Sequence, residues 1–438
     1  MENIDTLICA RWVVPVIPAE TVYSHYAVAI DNGRIIELLP TDAALKKYQA
    51  LSVQELNNHV LIPGLINTHT HAAMTLFRGM ADDLPLITWL QDHIWPAEQK
   101  WIAPGFVEDG TRLAVAEMLR GGITCFNDMY FFPDHTAKVA AEIGMRASVG
   151  LIIIDFPTAW AKDADEYLFK GQEVHDRFKH EPLITTAFAP HAPYTVSDEP
   201  LQRIATLAEE LDIPIHMHVH ETAFEVEQSV ENCGMRPLAR LQELGLLNER
   251  LLAVHMTQLQ AEEIDLVAKY GVHVLHCPES NLKLASGFCP VHALQTAGVN
   301  VALGTDGAAS NNDLDLLGEA RTAAQLGKAV ANDPTAVSAW RALEMATING
   351  ARALALDKTI GSLEPGKAAD ITAIDLMQPA TQPVYDPVSQ LIYAASRQQV
   401  SDVWVNGKPL LADGELTTLD VEGLIEIAED WRVKITNL

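Results

Sequence analysis

Cysteine is scarce in this 438-residue sequence. The five cysteines are odd in number, lie far apart and include no C-x-x-C pair, which excludes a disulfide framework and a cysteine-based zinc site. The N-terminus lacks the basic residues of a signal peptide, and no apolar run approaches the roughly 20 residues that span a membrane. These absences predict a cytoplasmic protein without a membrane partner.

Positive charge is also in short supply. Lysine and arginine total 30 against 58 acidic residues, which gives a formal net charge of −28. Because such a surface repels phosphate backbones, a nucleic-acid polymer is not expected as a partner. The apolar fraction of 48% predicts a globular chain, and its length suits one large barrel plus an accessory domain.

Both ends of the chain have the pattern of short strands joined by tight turns. The turn signals are Asn32-Gly33 near the N-terminus and Asn406-Gly407 near the C-terminus, each between two apolar runs. We therefore predict that residues 1–61 and 365–438 form one composite β-sandwich domain.

Residues 62–364 alternate short apolar runs with longer helix-forming stretches, which is typical of parallel strands joined by crossover helices. Eight runs qualify as strands: VLIPGLINTH, GITCFND, ASVGLIII, LITTAFAP, IPIHMHVH, LLAVHM, VHVLHC and VNVALGTD. This pattern predicts an α/β fold, a (β/α)8 TIM barrel, whose functional residues lie at the C-terminal ends of the strands.

Polar side chains recur at the ends of these predicted strands. His69 and His71 end the first strand, and as alternate residues they face the same side, where both imidazoles can hold one ion. The later strand ends carry His218, His255, His276 and Asp306. Imidazole nitrogens with a carboxylate oxygen suit Zn²⁺, and Fe²⁺ or Mn²⁺ also fits such ligands.

The motifs around these positions resemble the amidohydrolase superfamily, in the expected order: PGLINTHTH, HMHVHET, VHM, HCPESNLKLASG and LGTDGAASNN. The resemblance implies that one divalent metal ion is bound by His69, His71, His218 and Asp306. Binuclear members bridge two ions with a modified lysine on the fourth strand, and LITTAFAPHAP contains no lysine. One metal ion is therefore expected.

The fifth predicted strand contains three histidines on one face: His216, His218 and His220. Spacing alone does not select a ligand among them. The family pattern selects His218, and the other two are expected to make structural hydrogen bonds. The role of His276, in the motif after the seventh strand, stays open.

The resemblance further implies a hydrolytic deaminase. It places Glu221 against the substrate, where it protonates a ring nitrogen, and it assigns to His255 a hydrogen bond to the attacking water. Asp306 is implied to carry the proton of that water towards the leaving ammonia. A divalent ion lowers the pKa of bound water from about 15.7 to about 7, which supplies hydroxide at neutral pH.

Two further segments resemble 5′-methylthioadenosine/S-adenosylhomocysteine deaminases: ITWLQDHIWPAEQK at 87–100 and APHAPYT at 189–195. This resemblance implies a small nucleoside substrate, with Glu98 binding the ribose hydroxyls and His191 contacting the nucleoside. Trp89 is expected on an apolar wall of the pocket. No arginine can be assigned to the carboxylate of S-adenosylhomocysteine, which favours 5′-methylthioadenosine or adenosine and leaves S-adenosylhomocysteine open.

Two alternative functions remain. Another one-metal amidohydrolase, a guanine-type or cytosine-type deaminase or a triazine hydrolase, has the same centre and a different pocket. A non-catalytic binding protein on the same scaffold loses ligands, whereas here His69, His71, His218, Asp306 and Glu221 are all present. The family resemblance also implies a homo-oligomer, a dimer or larger.

Overall fold

The computed structural model describes residues 1–436. Within this part of the chain, no helix is both long enough and apolar enough to cross a membrane. The strands form two eight-stranded sheets, one assembled from both ends of the chain and one from its middle. The predicted fold class is confirmed.

The strands alternate with helices along most of the chain. In chain order the strands are β1 (Glu2–Val13), β2 (Tyr23–Asp31), β3 (Arg34–Pro40), β4 (Tyr48–Pro63), β5 (Leu65–Thr70), β6 (Ile123–Tyr130), β7 (Arg146–Ile153), β8 (Ile184–Pro190), β9 (Ile215–Val219), β10 (Leu251–His255), β11 (His273–His276), β12 (Val301–Leu303), β13 (Ile371–Asp375), β14 (Val400–Val405), β15 (Lys408–Ala412) and β16 (Glu415–Leu416). The α-helices are α1 (Thr41–Lys47), α2 (Leu86–Thr88), α3 (Trp95–Trp101), α4 (Pro104–Arg120), α5 (Pro133–Ile143), α6 (Ala164–Phe178), α7 (Asp198–Leu211), α8 (Ala223–Cys233), α9 (Pro237–Glu243), α10 (Ala261–Tyr270), α11 (Pro278–Lys283), α12 (Val291–Thr296), α13 (Leu316–Ala331), α14 (Ala339–Ala346), α15 (Ile348–Ala353), α16 (Pro387–Tyr393) and α17 (Val421–Thr436). A π-helical segment, Trp89–Ile94, joins α2 to α3.

The first sheet is mixed, with strand order β16-β15-β14-β13-β4-β1-β2-β3. The two ends of the chain meet where β4 and β13 pair antiparallel, with Ile62 opposite Thr372. Asn32 and Gly33 form the turn between β2 and β3 with φ of 50° and 74°, the left-handed conformation that asparagine and glycine tolerate. The two terminal segments therefore pair through β4 and β13.

The second sheet is parallel and runs in the order β12-β11-β10-β9-β8-β7-β6-β5. Its strands coincide with the eight predicted runs, except that the first run divides at Gly64. Residues before Gly64 belong to β4 of the mixed sheet, and those after it belong to β5 of the barrel. An added Cβ at Gly64 would lie 2.1 Å from Oγ1 of Thr124, so this sharp passage between the sheets requires glycine.

The first and last barrel strands, β5 and β12, meet at a seam held largely by residues at their ends. The backbone N–H groups of Thr305 and Asp306 donate to the carbonyl oxygen of His69, at 3.1 and 3.0 Å. The Thr68 hydroxyl donates to the carbonyl of Leu303 at 2.8 Å. An added Cβ at Gly304 would approach the backbone nitrogen of His69 to 2.8 Å. The barrel therefore closes directly beneath the predicted metal ligands.

A buried ion pair ties the barrel to the mixed sheet. Arg146, at the start of β7, donates to both carboxylate oxygens of Asp370, at 2.8 and 3.1 Å. The side chains are 5% and 2% exposed, so the charges neutralise each other away from water. The C-terminal helix α17 also packs on the barrel, because Trp431 contacts Phe106 of α4 and donates to Asp109. The division of the chain at residues 61 and 365 stays a prediction.

Candidate active site

The C-terminal ends of the barrel strands open into a cavity of about 690 Å³. His69 lies fully buried beneath it. The other predicted site residues all line this cavity: His71, Trp89, Glu98, His191, His218, Glu221, His255 and Asp306. The structure therefore brings together residues that are spread over more than half of the sequence.

The predicted metal ligands converge below this cavity. The Nε2 atoms of His69 and His71 lie 3.3 and 3.2 Å from Oδ1 of Asp306. One potential donor atom from each of these three residues lies within 4.8 Å of the others, and the same holds for His69, His218 and His255. Nε2 of His69 is buried without a hydrogen-bond partner. An orphaned imidazole nitrogen beside a carboxylate fits a divalent cation.

The surroundings of the histidines orient their nitrogens for metal binding. Nδ1 of His71 lies 2.6 Å from the carbonyl oxygen of Met129, and Nδ1 of His218 lies 2.7 Å from that of His191. Because a carbonyl only accepts, each Nδ1 carries a proton, and Nε2 is the nitrogen that faces the predicted metal site. Burial lowers the pKa of His69 to about 4 and that of His218 well below its usual value. Both imidazoles are therefore neutral at neutral pH, as a metal ligand must be.

The other histidines of the fifth predicted strand lie outside the cavity lining. Nε2 of His216 is 2.8 Å from Nδ1 of His69, and its Nδ1 faces Asn127 at 3.2 Å. His220 is buried, and its Nε2 accepts a weak hydrogen bond from the backbone of Leu238 at 3.4 Å. His276 is also buried, and it is not among the residues that line the cavity.

Asp306 is held by two serines that the sequence did not reveal. Its Oδ2 accepts hydrogen bonds from the hydroxyls of Ser280 at 2.6 Å and Ser310 at 3.0 Å. Burial alone would raise the pKa of Asp306, but the adjoining imidazoles of His69 and His71 hold it well below its usual value. Asp306 is therefore ionised at neutral pH. Both serines lie in the motifs that resemble the family, and these motifs are the sequence signal that could have identified them as site residues.

Glu221 and His255 are close neighbours in the cavity lining. Oε2 of Glu221 is 3.9 Å from Nε2 of His255, and burial raises the pKa of Glu221. His255 is fixed by a 2.9 Å hydrogen bond between its Nδ1 and Oδ1 of Asn281. With that oxygen as the acceptor, Nδ1 is the donor and Nε2 is the nitrogen that faces the cavity. Asn281 is therefore a further positioning residue, and its sequence pattern did not predict this role.

A buried carboxylate supports the backbone of Glu221. The side chain of Glu225 accepts hydrogen bonds from the backbone N–H groups of His220 at 3.1 Å and Glu221 at 2.7 Å. Burial is the main reason that the pKa of Glu225 rises to about 8. Glu225 was not predicted as a site residue, because a glutamate in the first turn of a helix is typical of a solvent-exposed helix start.

The predicted substrate-contacting residues approach from other elements. Glu98 lies on α3, and its Oε1 accepts a hydrogen bond from the Tyr130 hydroxyl at 2.8 Å. Burial raises the pKa of Glu98 to about 7. Trp89 belongs to the π-helical segment and is 6% exposed. His191 follows β8, and its Nδ1 lies 3.0 Å from the Thr195 hydroxyl.

A parallel-stranded barrel with a histidine and aspartate centre at its C-terminal end defines a metal-dependent hydrolase. The model of the amidohydrolase family matches residues 60–410. The chain belongs to the amidohydrolase family. The predicted family and the predicted hydrolase class are confirmed.

Relatives with similar sequences match nearly the whole chain. It is 53% identical to 5-methylthioadenosine/S-adenosylhomocysteine deaminase of Saccharophagus degradans over 431 residues, which covers 98% of this chain and 97% of that protein. It is 51% identical to the deaminase of the same name from Teredinibacter turnerae, with coverage of 99% and 98%.

Solved structures share the fold over the same extent. An adenosine deaminase from Xanthomonas campestris with bound zinc superposes with a TM-score of 0.99 at 56% identity, and all of both chains is covered. The zinc complex of the atrazine chlorohydrolase TrzN from Arthrobacter aurescens has a TM-score of 0.89 at 25% identity and covers 97% of this chain and 99% of that one.

Proposed function

We propose that this protein is a zinc-dependent hydrolytic deaminase of adenine nucleosides that converts 5′-methylthioadenosine to its inosine analogue and ammonia. One observation carries this proposal: the metal-binding centre, Glu221 and the Glu98–Tyr130 pair face a single cavity. The relatives named as 5-methylthioadenosine/S-adenosylhomocysteine deaminases support the same substrate class.

His69, His71, His218 and Asp306 would hold the metal ion. Zinc is supported by this nitrogen and oxygen donor set and by the zinc-bound relative from Xanthomonas campestris. A divalent ion bound here supplies Lewis acidity and lowers the pKa of water from about 15.7 to about 7.

Three side chains handle the protons of the reaction. Asp306, whose pKa is held low, is the ionised group that accepts a proton from the attacking water. His255 accepts a hydrogen bond from that water through the lone pair of Nε2. Glu221, whose pKa burial raises, donates a proton to the ring nitrogen beside the amino-bearing carbon. Asp306 then passes the proton of the water to the amino group, which leaves as ammonia, and the hydroxyl proton of the addition product returns to Glu221 as the carbonyl forms.

Glu98, His191 and Trp89 position the nucleoside. The buried carboxylate of Glu98 accepts hydrogen bonds from the ribose hydroxyls, while the Tyr130 hydroxyl holds it in place. His191 contacts the nucleoside from β8, and Trp89 covers one apolar side of the cavity. An acceptor built for hydroxyl groups favours a nucleoside over a bare guanine, a cytosine or a triazine.

The test is ammonia release by the zinc-loaded protein from 5′-methylthioadenosine, adenosine, guanine, cytosine and atrazine in parallel. We expect turnover of the two nucleosides, and loss of that turnover in His218→Ala and Glu221→Gln. Turnover of a base or triazine alone would contradict the proposal and select the corresponding alternative. Absence of both turnover and bound metal would select a binding protein instead. The homo-oligomer and the cytoplasmic location stay predictions.

A further inference from the structure

A fully buried glutamate, Glu319, lies outside the cavity lining, and the proposed chemistry does not use it. It belongs to the first turn of α13. The N-terminus of this helix is capped by another residue, Asp315, whose carboxylate accepts hydrogen bonds from the backbone N–H groups of Leu317 and Gly318 at 3.1 Å each. The carboxyl group of Glu319 is therefore not needed as a helix cap, and it bonds to groups outside α13.

Both oxygens of the Glu319 carboxyl group accept a hydrogen bond from another segment. Oε2 accepts from the backbone N–H of Glu279, in the first turn of α11, at 3.1 Å. Oε1 accepts from the side-chain amide of Asn311 at 2.7 Å. The same amide nitrogen donates to the carbonyl oxygen of Thr305 at 2.9 Å. Glu319 thus joins the start of α11 to the segment that follows β12.

Each of these two segments carries one of the serines that bind Asp306. Ser280 directly follows Glu279 in the chain, and Ser310 directly precedes Asn311. Both serine hydroxyls donate to Oδ2 of Asp306. Oδ1 is the oxygen that lies 3.3 and 3.2 Å from the two histidines of the metal centre. A shift of either segment would therefore turn this carboxylate away from its place beside the histidines.

The surroundings of Glu319 are electrostatically unfavourable for a carboxyl group. Burial raises the pKa of Glu319 well above its usual value. Nearby acids raise it further, namely Glu279, Asp313 and Asp306. An uncharged side chain of similar size would avoid this cost but could not accept both hydrogen bonds. The two hydrogen bonds are therefore the favourable interactions that this carboxyl group makes.

We propose that Glu319 is a positioning residue for Asp306: it fixes Ser280 and Ser310, and these serines orient the carboxylate of Asp306 towards the metal centre. Groups that hold a metal ligand in this way tune both metal affinity and activity. Because Glu319 does not line the cavity, it acts on the metal centre and on proton transfer by Asp306, and not on nucleoside affinity. The expected effect on kcat rests on the proposed function, whereas the effect on zinc affinity rests on the metal centre alone.

The test measures zinc affinity, kcat and KM for Glu319→Gln. Glutamine has the size of glutamate but turns an NH₂ group towards one of the two donors, so that one hydrogen bond is lost. We expect zinc affinity and kcat each to fall about tenfold, while KM for 5′-methylthioadenosine stays within about twofold of the wild-type value. Zinc affinity is measured by competition with a chromogenic chelator, and kcat is measured at saturating zinc.

A double-mutant cycle separates this role from a general loss of packing. If Glu319 acts through the serines, Glu319→Gln should have little further effect on zinc affinity in the Ser280→Ala, Ser310→Ala background. Asn311→Ala breaks the same connection at a partly buried loop position. We expect it to lower zinc affinity and kcat as Glu319→Gln does, and it tests the proposal even if Glu319→Gln folds poorly.

Asp370→Asn is the control for loss of stability alone. It alters a buried carboxylate that bonds to the start of β7, at the end of the barrel opposite the cavity, so zinc affinity and kcat should not change. The proposal is overturned if Asn311→Ala keeps the wild-type zinc affinity and kcat, or if Glu319→Gln weakens zinc binding equally with and without the serines. A wild-type protein that binds zinc but deaminates no nucleoside would reject the proposed function, and the zinc measurements would still decide the role of Glu319.

Discussion

Glu98 makes substrate affinity depend on pH if it binds the ribose hydroxyls as an ionised carboxylate. Its pKa is raised to about 7 by burial, against the opposing hydrogen bond from Tyr130. Below that pH the carboxyl is protonated and loses acceptor capacity. We therefore expect KM for 5′-methylthioadenosine to rise as the pH falls below about 7.

The magnitude follows from the fraction of Glu98 that is ionised. With a pKa of about 7, this fraction is about 0.9 at pH 8 and about 0.1 at pH 6. If only the ionised form binds the hydroxyls, KM rises about tenfold over this range. Tyr130→Phe removes the hydrogen bond that favours the ionised form, so the pKa of Glu98 should increase and the midpoint of the KM profile should move to higher pH.

The assay measures kcat and KM separately between about pH 5.5 and 8.5 for the wild type, Tyr130→Phe and Glu98→Gln. Glutamine cannot ionise, so Glu98→Gln should have a higher KM at pH 8 and a nearly flat KM profile. A 2′,3′-dideoxy substrate should abolish the pH dependence in the wild type as well. If Glu98→Gln keeps the wild-type KM profile, another group is titrating and the reasoning about Glu98 is wrong.

Three further predictions concern chemistry, stability and metal. Glu221→Gln should lower kcat about 10²- to 10⁴-fold, measured by single-turnover kinetics, because it removes the proton donor; an unchanged kcat would remove Glu221 from the chemistry. Asp370→Asn should lower the free energy of unfolding by about 3 to 5 kcal/mol, because the Arg146 guanidinium stays buried without its charge partner. The measurement is the urea midpoint of unfolding. The double variant Arg146→Met, Asp370→Leu should lose less free energy of unfolding than Asp370→Asn, and an equal loss would contradict this account. Removal of the metal with a chelator should lower the free energy of unfolding, measured by calorimetry, by about 4 kcal/mol relative to protein with free zinc at about 1,000 times its Kd. In His218→Ala the chelator should change the free energy of unfolding little.

The sequence predicted the barrel well because its strands are buried runs that end in polar residues. Two histidines at i and i+2, such as His69 and His71, share a face in any strand, and the surrounding motifs that resemble the family indicated their role as ligands. The divided first strand was missed because VLIPGLINTH is apolar throughout. Only the pairing of β4 with β13 assigns its first half to the other sheet, and that pairing is not encoded locally.

The supporting residues of the site were harder to predict than its proposed metal ligands. Ser280 bonds to Asp306 across 26 positions, and Asn281 bonds to His255 across another 26. Such pairs have no spacing rule, because they depend on how neighbouring strand ends are placed in the barrel. The buried pair of Arg146 and Asp370 is another such contact, since its partners lie 224 positions apart.

The proposed metal centre can form only when the barrel has closed between β5 and β12. Thr70 and Asp306, 236 positions apart, are joined by a hydrogen bond there, and His69 bonds to the same short segment. Contacts so distant in sequence carry a high cost of loop closure and form only when the intervening strands are in place. A chain stalled with an open sheet displays His69 and His71 without their carboxylate partner. We therefore expect tight metal binding only from the closed barrel, and not from a nascent or truncated chain.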